Sequence, residues 1–372
     1  MARAAVVGLG MTPFGKHKER SVEDLGVQAV EEALADSGID RGLIDTTYSS
    51  NVLGGGGVGQ RVLEKTGMLG HAVVNVENAC ASGSTAVHLA RQAVESGSAD
   101  AVLVLGVEKL TGMFQGGISL GRTDRPTQIG LTMPAVYALW AHRYANVYGV
   151  STDELANVAV KNRAYGARNP LAMFQKEVSV AEVLESKLIA DPLTLLQCCA
   201  NSDGGAALVI VREELLDSTT REPVWILGSG LASGRPVGPD TDLARSKVSR
   251  ASGARAFAAA GIKPGDVDIA EIHDAFTIGE VISTEALDLA PTGAALRQDK
   301  GAVPINVSGG LLSKGHPVGA TGVAQVVEIV RHLRGEAGER QVSGASVGIA
   351  HTVGGGVATL EAIASGVIVL GA

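Results

Sequence analysis

Aromatic residues, cysteines and clustered positive charge are all scarce in this chain of 372 residues. Aromatic residues make up 3% of the chain, the formal net charge is −8, and no stretch interleaves basic with aromatic residues. Such a chain lacks the basic surface that nucleic-acid binding needs, so we predict no nucleic-acid partner. No apolar run reaches the ~18–20 residues that span a bilayer, so we also predict no membrane partner.

Cysteine is limited to three residues, and a low, odd number is typical of a reducing compartment. No secretory signal pattern opens the chain, and we expect a cytoplasmic protein. Cys198 and Cys199 are adjacent, and we interpret them as small core or loop thiols. No spacing of cysteine and histidine along the chain resembles a zinc site, so we predict no bound metal.

Apolar residues and glycine are abundant, and their pattern alternates between strands and helices. The hydrophobic fraction is 45% and the chain contains 49 glycines, enough for large cores with closely packed elements. The length suits two to three domain-sized units, and the alternation predicts an α/β fold. The predicted strands are Ala4–Val7, Thr46–Val52, Val73–Val76, Ala101–Gly106, Ala206–Val211, Val224–Gly228, Asp268–Ile272, Ser346–Ala350 and Val357–Glu361. The predicted helices are Val22–Ser37, Gly59–Lys65, Ser84–Ser96, Pro134–Tyr148, Thr152–Asn169, Ala251–Ala260, Thr277–Leu289 and Gly322–Arg334.

Cys80 lies in a turn of small residues between a predicted strand and a predicted helix. Residues 78–85 read Asn-Ala-Cys-Ala-Ser-Gly-Ser-Thr. The positive end of the helix and its free backbone N–H groups favour thiolate over thiol, which makes a better nucleophile. The same position would also suit a small, buried and inert thiol.

Three histidines decide between these interpretations, because each stands at a junction of a strand with a loop or helix start. His273 opens His-Asp-Ala-Phe, His316 lies within Gly-His-Pro-Val-Gly-Ala-Thr-Gly, and His351 opens His-Thr-Val-Gly-Gly-Gly. Histidine titrates near neutrality, so it can take a proton from a thiol and return one later. One candidate nucleophile with three such histidines predicts covalent catalysis.

On these motifs the chain resembles the thiolase superfamily over its whole length, and within it the sterol-carrier-protein-type and archaeal-type thiolases. The run from Ser-Gly-Gly at 308–310 to Gly-His-Pro at 315–317 is the most specific part of the resemblance. Residues 201–208, Asn-Ser-Asp-Gly-Gly-Ala-Ala-Leu, and residues 6–14 also fit. The Gly-x-Gly loop within residues 6–14 lacks the third glycine of a dinucleotide site, so we exclude that function.

The resemblance implies a thiolase-like fold of five layers, built from two similar βαβαβαββ halves with an inserted loop domain. Residues 1–110 and 198–220 would form the first half, residues 111–197 the inserted loop domain, and residues 221–372 the second half. The sequence agrees weakly with such a repeat. The turns that begin at Cys80 and His316 both open a helix that leads to a core strand.

The resemblance also implies roles for individual residues. Cys80 would be the acylated nucleophile and His316 the base that deprotonates it. His273 would replace an asparagine that orients a water in one oxyanion hole, and the N–H groups of Cys80 and Gly354 would form the other. The turn with Ser308 and Gly309 would lie near coenzyme A, although Ser308 could equally be an ordinary turn serine.

The chain departs from degradative thiolases because it lacks an evident second catalytic cysteine. Aligning the glycines puts Thr352 at that position, and Ala275 occupies the place where some relatives carry cysteine in a His-Asp-Cys-Phe motif. Proton transfer at the substrate carbon would then fall to His351, to His273 or to a water. We therefore expect His351 to be a catalytic residue or a structural strand-end residue.

The expected activity is to form or cleave the carbon–carbon bond of a 3-oxoacyl-CoA through acyl-Cys80. Coenzyme A would be a substrate or product rather than a tightly bound cofactor. The alternatives are a ketoacyl-synthase-like acyltransferase, a retro-aldolase acting on acyl-CoA, and a non-enzymatic acyl-CoA or lipid-binding protein. The resemblance further implies a homodimer, for which we predict contact through the sheet edge at Ala72–Asn78, and a small zinc-ribbon and OB-fold partner protein.

Overall fold

One mixed sheet of nine strands runs through the described part of the chain. The computed structural model describes residues 3–113, 125–236, 238, 241–297, 302–355 and 360–372. Two further short strands, β5 and β6, pair with each other alone. The strands are β1 Ala4–Met11, β2 Thr46–Ser50, β3 Ala72–Val76, β4 Ala101–Glu108, β5 Leu188–Ala190, β6 Leu193–Thr194, β7 Gly204–Arg212, β8 Val224–Ser233, β9 Ile269–Glu271, β10 Val347–Gly354 and β11 Ala364–Gly371.

The helices begin and end at residues that satisfy their free backbone groups. Ser21 and Asp24 form a capping box at the start of α1, and Gly38, at φ 69°, ends that helix. None of the helices in the described residues combines the length and the apolar character needed to cross a membrane. The helices are α1 Val22–Ser37, α2 Val58–Thr66, α3 Ser82–Ser96, α4 Arg125–Gln128, α5 Met133–Tyr148, α6 Thr152–Gly166, α7 Val180–Glu185, α8 Lys247–Ala260, α9 Thr277–Ala286, α10 Gly310–Lys314 and α11 Thr321–Leu333.

The order of strands in the sheet reads alike from both ends, as the predicted repeat requires. The first half is ordered β3-β2-β4-β7-β1 and the second β8-β11-β10-β9. The strand that would complete the second half is reduced to one bridge between Ala270 and Ile305. Pro304, just before it, has no N–H with which to extend the ladder. Within the described residues, the two halves of the sheet are joined by the strand pairs Ala5–Trp225 and Val6–Val224.

Helices α3 and α11 lie between the two halves of the sheet. Helix α3 contacts β2, β4 and β7 of the first half and β8, β10 and β11 of the second. Helix α11 likewise contacts β4 and β7 on one side and β9 and β10 on the other. Helices α1 and α2 cover the outer face of the first half, and α8 covers the outer face of the second. This layering confirms the predicted five-layer α/β fold.

The elements from α4 to β6 lie between β4 and β7 in sequence, within the predicted insertion. Buried residues of α5, α6 and α7 share a hydrophobic cluster with Phe276, Ile278, Leu311 and Leu312. The insertion therefore packs on the segments that carry the second-half motifs. The proposed domain boundaries, 1–110 with 198–220, 111–197 and 221–372, stay a prediction.

The predicted closing strand Val357–Glu361 is wrong where the structure describes it. Residues 357–359 lie outside the described residues, and residues 360–361 form a bend. The closing strand is β11 instead, whose residues Val367–Leu370 are fully buried against both neighbouring strands. Its continuous apolar run suits a strand covered on both faces.

The two central helices touch backbone to backbone at their first turns. A Cβ on Gly83 would lie 2.8 Å from the backbone nitrogen of Val323, and a Cβ on Gly322 would collide with the backbone nitrogen of Ser84. Only glycine at both positions allows this approach. The contact sets the distance between the turn that carries Cys80 and the loop that carries His316.

We expect Gly322→Ala to lower the free energy of unfolding by about 1–3 kcal/mol, because the added methyl group forces the two helices apart. Chemical denaturation measures the change. Gly265→Ala is the matched control, since a Cβ there meets nothing within 4 Å. Equal stability of the two variants would contradict the role that we give to this contact.

Candidate active site

Cys80 is held by a tight turn between β3 and α3. Ala79 has a left-handed backbone with φ 49°, and its N–H donates to the Glu77 carboxylate at 2.7 Å. The hydroxyl of Ser82 accepts from the N–H of Asn78 at 2.8 Å, which closes the turn. Cys80 is half-buried at this point. The turn therefore presents its thiol at the start of the central helix.

His316 lies in the loop before α11, and its hydrogen bonds fix which nitrogen can act as a base. Its Nδ1 is 2.7 Å from Oγ1 of Thr321, and that hydroxyl donates to the carbonyl of Pro317 at 3.0 Å. Because the hydroxyl has only one proton, Thr321 accepts from Nδ1–H. The Nε2 of His316 is left with a lone pair, which is the form that a general base requires.

His273 follows β9 and lies against His316. The two ring centroids are 5.2 Å apart at an interplanar angle of 79°. The sulfur of Cys80 and one imidazole nitrogen each of His273 and His316 lie within 4.8 Å of one another. The structure thus brings together three of the four predicted catalytic residues, from three distant motifs.

The same three side chains form a possible ligand set for a metal ion. One thiol and two imidazoles are common zinc ligands. We predicted no metal from the spacing of cysteine and histidine along the chain. Such spacing cannot reveal ligands that the fold brings together from separate loops. That prediction remains open to test.

Gly354 and Gly355 at the end of β10 pack directly on the Cys80 turn. A Cβ on Gly354 would lie 2.5 Å from the carbonyl oxygen of Asn78 and 2.9 Å from the nitrogen of Cys80. The backbone of Gly355 makes a hydrogen bond to the Cys80 sulfur. Gly355 is a site residue that sequence reasoning missed, although the Gly-Gly-Gly run signals a close backbone approach. The oxyanion hole assigned to Cys80 and Gly354 stays a prediction.

Burial keeps the thiol of Cys80 and the imidazole of His316 neutral. It raises the pKa of the Cys80 thiol to about 11, and the hydrogen bond from Gly355 only partly opposes this. It lowers the pKa of His316 to about 3. The backbone N–H of Cys80 at the helix start does lower the pKa of the thiol, as expected, but burial outweighs it. Desolvation disfavours the charged form of either group and outweighs the local dipoles.

His351 lies on β10 but is turned towards α8. Its Nε2 is 3.1 Å from Oγ of Ser249, and no described residue partners its Nδ1. Thr352 points to the opposite face of the strand, where its hydroxyl is 2.5 Å from that of Ser84. Burial lowers the pKa of His351 to about 3. His351 is close enough to His273 for its positive charge to lower the pKa of that residue.

Ser308 and Gly309 occupy a buried turn. The hydroxyl of Ser308 donates to the Glu271 carboxylate at 2.6 Å, and the Ser308 N–H donates to the same carboxylate at 3.0 Å. Gly309 has φ 98°, and a Cβ there would lie 2.7 Å from Cα of Gly166. The polar groups of Ser308 are therefore committed to Glu271. The contact of this turn with coenzyme A remains a prediction.

Asp274 connects the His273 motif to the His316 loop. Its carboxylate accepts the N–H of Leu311 at 2.7 Å and the Asn162 amide at 2.7 Å. Burial and the nearby Glu280 raise the pKa of Asp274 to about 7. Glu280 is in turn paired with Lys161 at 2.8 Å. Sequence reasoning missed this buried network, because its members are far apart in the chain.

Tyr137 and Cys199 complete the surroundings of Cys80. Tyr137 on α5 stacks on Phe276 with ring centroids 4.3 Å apart. Burial and the neighbouring Cys80 and Cys199 raise its pKa. The N–H of Cys199 donates to the carbonyl of Ala275 at 2.8 Å. No sequence signal marked Tyr137, and the adjacent cysteines were interpreted only as core or loop thiols.

Comparison with known proteins agrees with this geometry. The family model described as the thiolase N-terminal domain matches residues 4–214, and the thiolase C-terminal domain-like model matches residues 234–369. Sterol carrier protein 2 of Gallus gallus is 38% identical over 98% of this chain and 72% of its own length. Acetyl-CoA acetyltransferase of Methanothermobacter thermautotrophicus is 36% identical over 95% of this chain and 97% of its own. Among solved structures, the Ltp2-ChsH2(DUF35) aldolase has a TM-score of 0.86 and 26% identity over 100% of this chain and 98% of its own.

We expect alkylation of Cys80 by iodoacetamide to accelerate about tenfold per pH unit from pH 7 to 9, with no plateau. Thiolate is the reactive form, and a pKa of about 11 leaves the thiol protonated throughout this range. Peptide mass spectrometry distinguishes Cys80 from Cys198 and Cys199. A plateau that begins near pH 6.5 would instead indicate a preformed pair of thiolate and imidazolium.

Proposed function

Since the chain belongs to the thiolase family, we propose that it forms or cleaves the carbon–carbon bond of a 3-oxoacyl-CoA through an acyl-Cys80 intermediate. It is an enzyme of the thiolase acyltransferase type. The observation that carries the proposed mechanism is the cluster of the Cys80 sulfur with nitrogens of His273 and His316, all within 4.8 Å. Coenzyme A or acetyl-CoA is the second substrate, and no tightly bound cofactor takes part.

In the first half-reaction, Nε2 of His316 takes the proton of the Cys80 thiol as the sulfur attacks the 3-oxo carbon. The hydrogen bond from Nδ1 to Thr321, 2.7 Å long, supports this role because it orients the ring and stays in place when the ring becomes charged. Thiolate and imidazolium appear together as a close pair, which offsets the cost of creating charge in a buried site. Breakage of the carbon–carbon bond leaves acyl-Cys80.

The oxyanion of each half-reaction needs donors that are already in place. We assign one hole to the backbone N–H groups of Cys80 and Gly354, which lie in contacting segments. The other contains His273, whose pKa is held well below its usual value by burial and by the nearby imidazoles. A neutral His273 can donate one hydrogen bond directly or through a water.

We keep Ser308 and Gly309 as the proposed contacts with coenzyme A. In this structure both are buried, and Ser308 is bonded to Glu271. Direct contact with coenzyme A therefore requires this turn to rearrange. The turn also precedes α10, which leads to His316. A rearrangement of the turn would therefore change the position of His316, the proposed base.

A retro-aldolase acting on an acyl-CoA is the second candidate, and the likeness to the Ltp2-ChsH2(DUF35) aldolase favours it. An aldol cleavage needs no acyl-enzyme, so it predicts activity without Cys80. The thiolase function is preferred because the thiol and both histidines converge.

We further propose two protein partners and a cytoplasmic location. The first partner is a second copy of this chain, through β3, because β3 forms an edge of the sheet and Val74 on it is 43% exposed. The second is a small zinc-ribbon and OB-fold protein. The name of the aldolase structure, which includes a DUF35 component, supports this second proposal.

We expect Cys80→Ala to abolish turnover while changing the free energy of unfolding by at most about 1–2 kcal/mol, since only one sulfur is removed from a turn. Incubation with acetyl-CoA followed by mass spectrometry should show an acetyl group on Cys80 in the parent protein and none in the variant. If the variant retained acyl-transfer activity, the assignment of Cys80 as the nucleophile would be refuted. If the variant lost acyl transfer but still cleaved an aldol substrate, the retro-aldolase would be supported.

We expect light scattering at micromolar concentration to give twice the chain mass of 37.9 kDa. Val74→Asp should shift the protein towards the monomer, because it puts charge on the proposed edge contact. Val147→Asp is the matched control, since Val147 on α5 is similarly exposed, at 41%. A monomeric parent protein would contradict the dimer.

A further inference from the structure

The segment that contains Cys199 runs between the two histidine motifs. Cys198 forms an antiparallel bridge with Phe276, and Asn201 forms a parallel bridge with His316. Between them, the N–H of Cys199 donates to the carbonyl of Ala275 at 2.8 Å. Cys199 is thus fixed by the backbone beside Ala275, two residues from His273.

The two adjacent cysteines make different contacts. Cys198 has an extended backbone, with φ −115° and ψ 139°, and its thiol donates to the carbonyl of Thr194 at 3.3 Å. The thiol of Cys199 is buried and is near enough to Cys198, Cys80 and Asp274 for their negative charge to raise its pKa further. Cys199 therefore lies on the active-site side.

The Cys199 thiol lies where it can exchange a proton with a bound substrate. Tyr137, whose ring is clamped between Phe276 and Trp140 at centroid distances of 4.3 and 4.5 Å, is close to both Cys80 and Cys199. Cys199 is half-buried, like Cys80, so it is not sealed within the core. The other candidates are less suited. Thr352 is bonded to Ser84, and His351 is bonded to Ser249.

We propose that Cys199 is the acid and base that transfers the proton at the α-carbon of the substrate, a role that rests on the proposed function. In cleavage, the C2–C3 bond breaks as C3 becomes bonded to Cys80, and the electron pair left on C2 takes the proton of the Cys199 thiol. Acetyl-CoA leaves. The proton held by His316 returns to the Cys199 thiolate through solvent, and His316 then takes the proton of the incoming coenzyme A thiol, whose sulfur attacks acyl-Cys80. The departing Cys80 sulfur recovers its proton from His316.

The chemistry of the thiol suits this step better than that of a buried imidazole. Burial raises the pKa of Cys199 well above its usual value, and the neighbouring Cys198, Cys80 and Asp274 raise it further, whereas burial lowers the pKa of His351 to about 3. A stronger base is better matched to a weakly acidic carbon. The same thiol is a sufficient acid for a carbanion in the reverse direction.

The test compares Cys199→Ala and Cys199→Ser with Cys198→Ala, whose thiol bonds to the carbonyl of Thr194. We expect both Cys199 variants to acylate Cys80 from acetyl-CoA in a single turnover at near the parent rate and to lose about 10²–10⁴-fold in kcat for the overall reaction. They should also lose the exchange of the α-protons of acetyl-CoA with D2O. Cys198→Ala should keep turnover within about threefold, since it removes a thiol whose bond to Thr194 takes no part in the proposed proton transfer.

Three results would overturn the proposal. The first is full turnover by either Cys199 variant. The second is a loss of acylation as large as the loss of turnover in both Cys199 variants. The third is a loss of turnover in Cys198→Ala as large as that in the Cys199 variants. A selective loss by His351→Ala with normal Cys199 variants would move the role to His351. Failure of the proposed function itself looks different, because the parent protein would then form no acyl-Cys80. Melting temperatures of all variants separate misfolding from lost chemistry.

Discussion

The backbone contact between Gly83 and Gly322 is the constraint on which the rest of the structure depends. It lets α3 and α11 meet at their first turns, one helix from each half of the fold. Each helix is preceded by a functional motif, so the contact brings the Cys80 turn and the His316 loop to the same place. A methyl group at either glycine would push the two helices apart, and with them the Cys80 turn and the His316 loop.

A buried polar network then positions the His273 motif relative to the Cys80 turn and the His316 loop. Asp274 accepts backbone N–H groups at the start of α10, and Glu271 accepts both polar groups of Ser308. Lys314, which is 1% exposed, lies 3.5 Å from the same Glu271 carboxylate. Buried charges are costly unless each is paired, so this network tolerates few arrangements. It fixes His273 relative to His316 more firmly than apolar packing could.

Burial determines the protonation states of Cys80 and His316. A thiol with its pKa raised to about 11 beside an imidazole with its pKa lowered to about 3 remains neutral at physiological pH. In the proposed mechanism, charge separates only when a substrate carbonyl is present to accept the sulfur. This arrangement protects Cys80 from indiscriminate alkylation and oxidation, which require thiolate. The same desolvation acts on Cys199, whose high pKa fits an acid and base at carbon.

The sequence by itself determined the α/β class and the motifs of Cys80, His273 and His316, because hydrophobic period and turn residues are local properties. Only the tertiary structure decided the direction of the Cys80 pKa, since desolvation depends on everything packed around the thiol. It also decided that Ser308 bonds to Glu271 and that Cys199 lies beside Ala275, because both contacts join segments far apart in the chain. The true closing strand, β11, was missed for a similar reason. A short apolar run without alternation can be a buried strand or part of a buried helix, and the pairing with β8 and β10 identifies this run as a strand.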